Sequence, residues 1–235
     1  MTLASLFLPM ALLGASTVAS AQAPLGTTPG AVCARDGNGA VLSGHREIFW
    51  PDVHPVWAFC AVRPASSSAL NGSSLEIYNV RFRDRLVLKR AHVPVLNVQY
   101  VTGCGPCFRD WTDEERRFDA NNPVADGFAE PTVPARTVCE AGGGADVGAF
   151  SGGVAIENRD NQELVLTTQT SAGWYRYVMR WRFYPDGRIV GWFGFAAVEQ
   201  PCVHNDHTHH AYWRLDFDID GPGNDYIFQA RLNCL

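Results

Sequence analysis

Residues 164–187 read L-V-L-T-T-Q-T-S-A-G-W-Y-R-Y-V-M-R-W-R-F-Y-P-D-G, and I-V-G-W-F-G-F follows over residues 189–195. Large and polar residues alternate on both sides of Pro185-Asp186-Gly187, a turn signal, so the two runs predict a β-hairpin. A third run, H-T-H-H-A-Y-W-R-L-D-F-D-I-D-G over 207–221, starts in a histidine cluster and settles into a strand. His204, His207, His209 and His210 are four of the chain's seven histidines. On a strand, His207 and His209 point to one face, the spacing at which two imidazoles can share a metal ion. The competing reading of such a cluster is plain surface or turn polarity.

The same pattern extends outward. V-W-A-F-C-A-V (56–62), S-L-E-I-Y-N-V-R-F-R (74–83) and R-L-V-L-K-R-A (85–91) are short, mostly alternating runs separated by turn residues, and they read as antiparallel strands. Residues 103–150 are irregular. Trp111 to Arg117 predicts one or two helical turns with Thr112 as N-cap, and prolines and Gly142-Gly143-Gly144 mark loops. Strands resume beyond Gly153 and continue to Leu235, with a further turn at Asp220-Gly221-Pro222-Gly223. Residues 24–45 read as a loop or extended arm. No repeat or linker divides the rest, so residues 46–235 predict one all-β, antiparallel β-sandwich domain.

A chain of 235 residues, 46% hydrophobic and 18% charged, is long enough for one domain with a sizeable core. Its net charge of −5, with no basic stripe, argues against nucleic acid as a partner. Residues 3–15 are apolar but too short to span a bilayer, and small residues follow. The expectation is a secretory signal over residues 1–23, cleaved after Ala21 or Ala23, with a secreted product and no membrane partner. Seven cysteines in an exported chain predict disulfides, with one thiol left over. Cys104-Gly105-Pro106-Cys107 has a redox spacing without the βαβ context that such a site needs. A structural disulfide from Cys107 or Cys104 to Cys139 is the simpler expectation.

Leu164-Val165-Leu166, Ser171, Tyr175 and Tyr177 fall in the order of the motif that surrounds the quinone tyrosine of copper amine oxidases. H-T-H-H-A-Y-W-R-L-D-F-D-I-D-G resembles that family's His-x-His copper pair and the run after it. The strands from residue 46 onward also resemble the opening of the family's catalytic domain, a β-sandwich, so the likeness covers roughly residues 46–228. The resemblance implies that Tyr175 is oxidised in place to topaquinone, that copper is held by His207 and His209, and that a small primary amine is oxidised by oxygen to aldehyde, ammonia and peroxide. It further implies a homodimer, and a disulfide upstream of the quinone like the Cys139 bridge above.

The chain also departs from that pattern. The family's third histidine lies far downstream, and no histidine follows His210 here, which leaves His204 as the local candidate for third ligand. His210 points to the opposite face of a regular strand. Trp174 stands where the family has Asn and would crowd or cover the ring, and Arg176 stands where it has an acidic residue. The resemblance implies a base at Asp119, in Phe118-Asp119-Ala120-Asn121, with Asp113 second, although by themselves both read first as solvated surface carboxylates. Two alternatives stay open. One is a non-catalytic relative that keeps the sandwich as a copper-binding or structural module. The other is an unrelated β-sandwich that binds carbohydrate or a surface partner through exposed tryptophans such as Trp181 and Trp192. Asp216, Asp218 and Asp220 alternate on one strand face, a pattern that can bind a hard cation such as calcium; the favoured expectation is a solvent face, with Leu215, Phe217 and Ile219 inside.

Overall fold

The computed structural model describes residues 30–68, 74–101, 103–104, 108–109, 127–130, 135–137, 140, 153–219 and 221. Within them the expected strands form. They are β1 (His45–Trp50), β2 (Trp57–Val62), β3 (Glu76–Phe82), β4 (Arg85–Tyr100), β5 (Phe108–Arg109), β6 (Phe128–Ala129), β7 (Val154–Arg159), β8 (Glu163–Ala172), β9 (Tyr175–Phe183), β10 (Ile189–Ala197) and β11 (His207–Phe217). One sheet has the order β1-β2-β3-β4-β11, with β5 on β4; the other has the order β10-β9-β8-β7-β6. Pairing is antiparallel except between β6 and β7. The architecture is the all-β sandwich that the alternation predicts. The expected helical turns at 111–117 lie outside the described residues.

The hairpin at Pro185-Asp186-Gly187 closes as the sequence requires. Tyr184 N donates to Arg188 O, Gly187 N donates to Tyr184 O, and Gly187 takes φ +100°, a conformation glycine adopts at no steric cost. At the other end of β9 the connection to β8 is only two residues, Gly173 and Trp174, because Ala172 pairs directly with Tyr175. Gly173 has φ +54°, which suits so tight a loop. Trp174 therefore sits at a hairpin tip and not within a strand.

Between the sheets, β2, β3 and β4 contribute Phe59, Ile77 and Val93, and β8 and β9 contribute Leu166, Met179 and Phe183 to one buried cluster. Phe59 and Phe183 stack across the seam with centroids 4.3 Å apart. Three buried indoles also bridge the sheets through their N–H groups. Trp57 donates to Tyr184 O at 2.7 Å, Trp181 to Leu75 O at 3.0 Å, and Trp50 to Asn158 Oδ1 at 3.0 Å. Gly191 lets β10 approach: a Cβ there would lie 2.8 Å from the Trp181 ring and 3.0 Å from the Trp213 ring.

Residues 30–44 form no regular strand and are tied down: Cys33 is bonded to Cys60, Val32 N and Cys33 N donate to Glu47 Oε1, and Ala34 N donates to the Tyr78 hydroxyl. Two features differ from the sequence expectations. Trp181 is buried at 2% exposure and cannot serve as a surface platform, whereas Trp192 is 42% exposed. Leu215, Phe217 and Ile219 are exposed, not an inner face. The cause is position: among the described residues β11 is an edge strand, and its register slips between Tyr212 and Arg214 and again between Asp216 and Phe217, which breaks strict alternation. Asp216 pairs with Arg214 at 3.2 Å, and Asp220 lies outside the described residues.

Trp181 offers the cleanest measure of the seam. Trp181→Phe keeps a ring but leaves the Leu75 carbonyl without its donor, an expected loss of about 1–3 kcal/mol. Trp181→Ala adds a cavity, for a loss of about 3–5 kcal/mol. Urea unfolding of the two variants measures both, and equal losses would assign the whole effect to the lost hydrogen bond.

Candidate functional site

The site lies where the β8–β9 hairpin tip faces the start of β11 and the end of β4. The β4–β11 register pairs His207 with Tyr100, His209 with Val98 and Ala211 with Leu96. Alternation then turns Leu96, Val98 and Tyr100 inward toward Ala172, Tyr175 and Tyr177 of the other sheet, and these six form a second buried cluster. Tyr175 is 3% exposed and Tyr177 1%.

Each tyrosine meets one histidine. The Tyr175 hydroxyl is 3.0 Å from His207 Nε2, and the Tyr177 hydroxyl is 3.1 Å from His209 Nδ1. The other nitrogen of His207 sets the direction of the first contact. Nδ1 lies 2.6 Å from Asn205 O, an atom that can only accept, so Nδ1 carries the proton and Nε2 of the neutral ring accepts. Tyr175 therefore donates to His207. Its oxygen lies 2.8 Å from the Tyr100 hydroxyl, which must then donate to it, and Trp174 Nε1 donates to Tyr100 at 3.1 Å. The result is a directed chain: Trp174 to Tyr100 to Tyr175 to His207 to Asn205. Trp174 does not simply crowd the tyrosine, as expected; from the hairpin tip its indole supplies the first donor of the chain.

Asn205 is itself anchored. Cys104, just beyond β4, is bonded to Cys202, in the 3-10 turn Pro201–His204, and Asn205 Nδ2 lies 3.1 Å from Cys104 Sγ. Of the two expected partners of Cys139, this excludes Cys104; the other, Cys107, lies with Cys139 outside the described residues. The physical reason is proximity at the sheet end, where Val101 N donates to Asp206 O and joins the two segments.

His209 is packed among rings, with Phe195 stacked at 3.7 Å and Tyr175 edge-on at 4.5 Å between centroids. Among the described residues its Nε2 is buried without a hydrogen-bond partner. Burial pushes its pKa down to about 4, with smaller contributions from His207 and His210. His204 is placed apart from this group: its side chain is 66% exposed and its Nε2 pairs with Glu199 at 2.9 Å. His210 is the next residue of β11, paired with Asn97. Asp119 and Asp113 lie outside the described residues. Among the described residues no group of three or more His, Cys, Asp or Glu is placed to hold a metal ion. The His207 and His209 rings lie 5.1 Å apart between centroids beside the Tyr175 phenol, and the orphaned His209 Nε2 is the kind of buried nitrogen that a metal would satisfy. Tyr100 was missed by the sequence reading, although the L-N-V-Q-Y alternation at 96–100 marks it as an inward position.

The His209 shift sets a pH dependence. An unfolded imidazole titrates near 6.5, so between about 6.5 and about 4 the unfolded chain binds more protons than the folded one. Stability then falls as pH drops through that window and levels off below it. His92, buried beside Glu76 on β4, is also pushed down to about 4, chiefly by burial, and acts in the same sense. Denaturant unfolding at pH values from 7 to 4 should show this slope, and His209→Phe should reduce it without abolishing it.

No family model matches this chain, and no curated protein matches it. Among solved structures, it is similar to a copper-containing benzylamine oxidase from Hansenula Polymorpha, with a TM-score of 0.39 and 12% identity. The match covers 85% of this chain and 36% of that one, so this chain spans about a third of the oxidase's length.

Proposed function

We propose that this protein is an exported, copper-binding β-sandwich related to the amine oxidases, with Tyr175 as its oxidisable residue and His207 and His209 as metal ligands. One observation carries the reading: the Tyr175 hydroxyl lies 3.0 Å from His207 Nε2, and its ring is perpendicular, at 4.5 Å between centroids, to that of His209, whose own Nε2 is buried without a partner among the described residues. Bound copper would supply one-electron redox chemistry and oxygen activation beside that phenol. The chain's own residues do the rest. Asn205 holds His207 in one tautomer, Tyr100 orients the phenol oxygen, and the packed rings exclude water. In an active form Asp119 would be the base toward a small primary amine, with His204 the local candidate for a further ligand. The two disulfides fit an oxidising compartment, in keeping with export.

A second reading has specific support. His207 Nε2 is already engaged by Tyr175, and His204 is engaged by Glu199 at the surface. Both favour a relative that keeps the sandwich and its tyrosine–histidine pairs without catalysis.

Copper-free protein given copper in air separates the two. The first reading expects stoichiometric copper, a visible quinone band and a phenylhydrazine adduct on the Tyr175 peptide. Tyr175→Phe should abolish the band and adduct. His207→Ala with His209→Ala should abolish copper binding, and His209→Gln, which preserves more of the packing, should weaken it. Copper without an adduct supports the non-catalytic reading, and no copper at all overturns the metal site.

A further inference from the structure

We propose that the Cys104–Cys202 disulfide is a thiol-reducible latch: a dithiol opens it, and the turn it holds then lifts from the tyrosine cluster. The latch governs access to that cluster and holds or fails whether or not the site takes a metal.

The bond is placed as a cover. Cys104 follows β4, Cys202 lies in the 3-10 turn Pro201–His204, and both pack with Val203 against the buried cluster that holds Tyr100, Tyr175 and Tyr177. The segment 199–205 runs between two backbone anchors: Val198 N donates to Trp174 O, and Val101 N donates to Asp206 O. Its own backbone bonds, Val203 N to Gln200 O and Asn205 N to Cys202 O, close within the turn and tie it to neither sheet. The disulfide is therefore the covalent link that keeps the middle of this segment on the cluster. Once it is cut, the segment lifts between its anchors while the β4–β11 ladder stays paired.

The other disulfide is built differently. Cys33 is 6% exposed and Cys60 0%, in a buried cluster with Val62 and Tyr78. Cys104 and Cys202 are both only half-buried. A thiolate must reach the sulfur it attacks, so access alone selects the Cys104–Cys202 bond.

Cleavage also has a direction. Asn205 Nδ2 donates to Cys104 Sγ at 3.1 Å. That contact becomes a charge-assisted hydrogen bond when Cys104 departs as a thiolate, which makes Cys104 the better leaving group. A thiolate of the dithiol attacks Cys202 Sγ, the Cys104–Cys202 bond breaks with its electron pair on Cys104, and a mixed disulfide forms on Cys202. The second thiol of the reagent, as thiolate, attacks the reagent's own sulfur in that mixed disulfide, and Cys202 leaves as a thiolate while a cyclic disulfide departs. The two protons of the dithiol end on Cys104 and Cys202, so the protein gains the two electrons and two protons that the dithiol loses. A disulfide oxidant reverses each step.

The test uses the full chain, native and copper-free, with free thiols blocked beforehand and dithiothreitol as the reductant. Iodoacetamide labelling read by mass spectrometry follows each cysteine, and hydrogen exchange follows the backbone. Cys104 and Cys202 should label at least about tenfold faster than Cys33 and Cys60. As they do, the Val203 and Asn205 amides should exchange at least about tenfold faster, while the β2–β3 pairing keeps its protection. Glutathione, a monothiol, should leave its adduct on Cys202. Asn205→Ala, which keeps the backbone carbonyl, should slow reduction several-fold. Should Asn205→Ala fail to fold, Cys104→Ala with Cys202→Ala supplies a second reading, with fast exchange at Val203 and Asn205 expected in the absence of reductant. Equal labelling of the two disulfides overturns the proposal. So does reduction of Cys104–Cys202 with unchanged exchange, an adduct on Cys104, or an unchanged rate in folded Asn205→Ala. Slow exchange in the double alanine variant, equal to that of the oxidised protein, overturns it as well.

Discussion

The seam between the two sheets rests on indole groups that are apolar in bulk and polar at one atom. Trp57 and Trp181 bury their rings between the layers and send their N–H groups to the Tyr184 and Leu75 carbonyls on the far side. Apolar burial alone would let one sheet slide over the other, because it has no preferred direction. A directed bond from a large, rigid ring fixes the distance and the offset at once. The stacked pair of Phe59 and Phe183 fills the space between these points, and Gly191 removes the one Cβ that would hold β10 off the Trp181 and Trp213 rings. Every contact described at the site depends on this offset, since it decides which residues of β9 face which residues of β11.

At the other end of the same seam the alternation continues but the chemistry changes. The inward positions become Tyr100, Tyr175, Tyr177, His207 and His209. Their polar atoms are satisfied mostly by one another. A low-dielectric setting strengthens such bonds and makes an unmet one expensive. The Asn205 carbonyl ends the chain by fixing the His207 tautomer, and the Cys104–Cys202 bond holds the two segments that carry these groups. His209 Nε2 is the exception. One unmet nitrogen in an otherwise paired cluster is a reason to look there for a ligand, and it is also what makes the two tyrosine–histidine pairs unequal.

The edge strands behave differently from the centre. β10 and β11 each pair on one side among the described residues, and Trp192, Phe195, Tyr212, Leu215 and Phe217 on them are exposed. The register slips in β11 begin where it runs past the tyrosine–histidine cluster. The strand is thus regular where it carries the site and irregular beyond it.

Alternation and turn chemistry alone were enough to reveal the strands, the hairpin at Pro185-Asp186-Gly187 and the shared face of His207 and His209, because side-chain direction in a strand follows from local geometry. The sequence also singled out Tyr175, through its motif context. It did not disclose the chain through Tyr100, the disulfide from Cys104 to Cys202, the burial of Trp181 or the exposure of Leu215 and Phe217. These depend on how strands far apart in sequence are set against one another: Tyr100 and Tyr175 are joined only when two sheets meet, and an inner face exists only where another layer covers it. The direction of each hydrogen bond came last, from a backbone carbonyl two residues before His207 that no residue-type pattern could place.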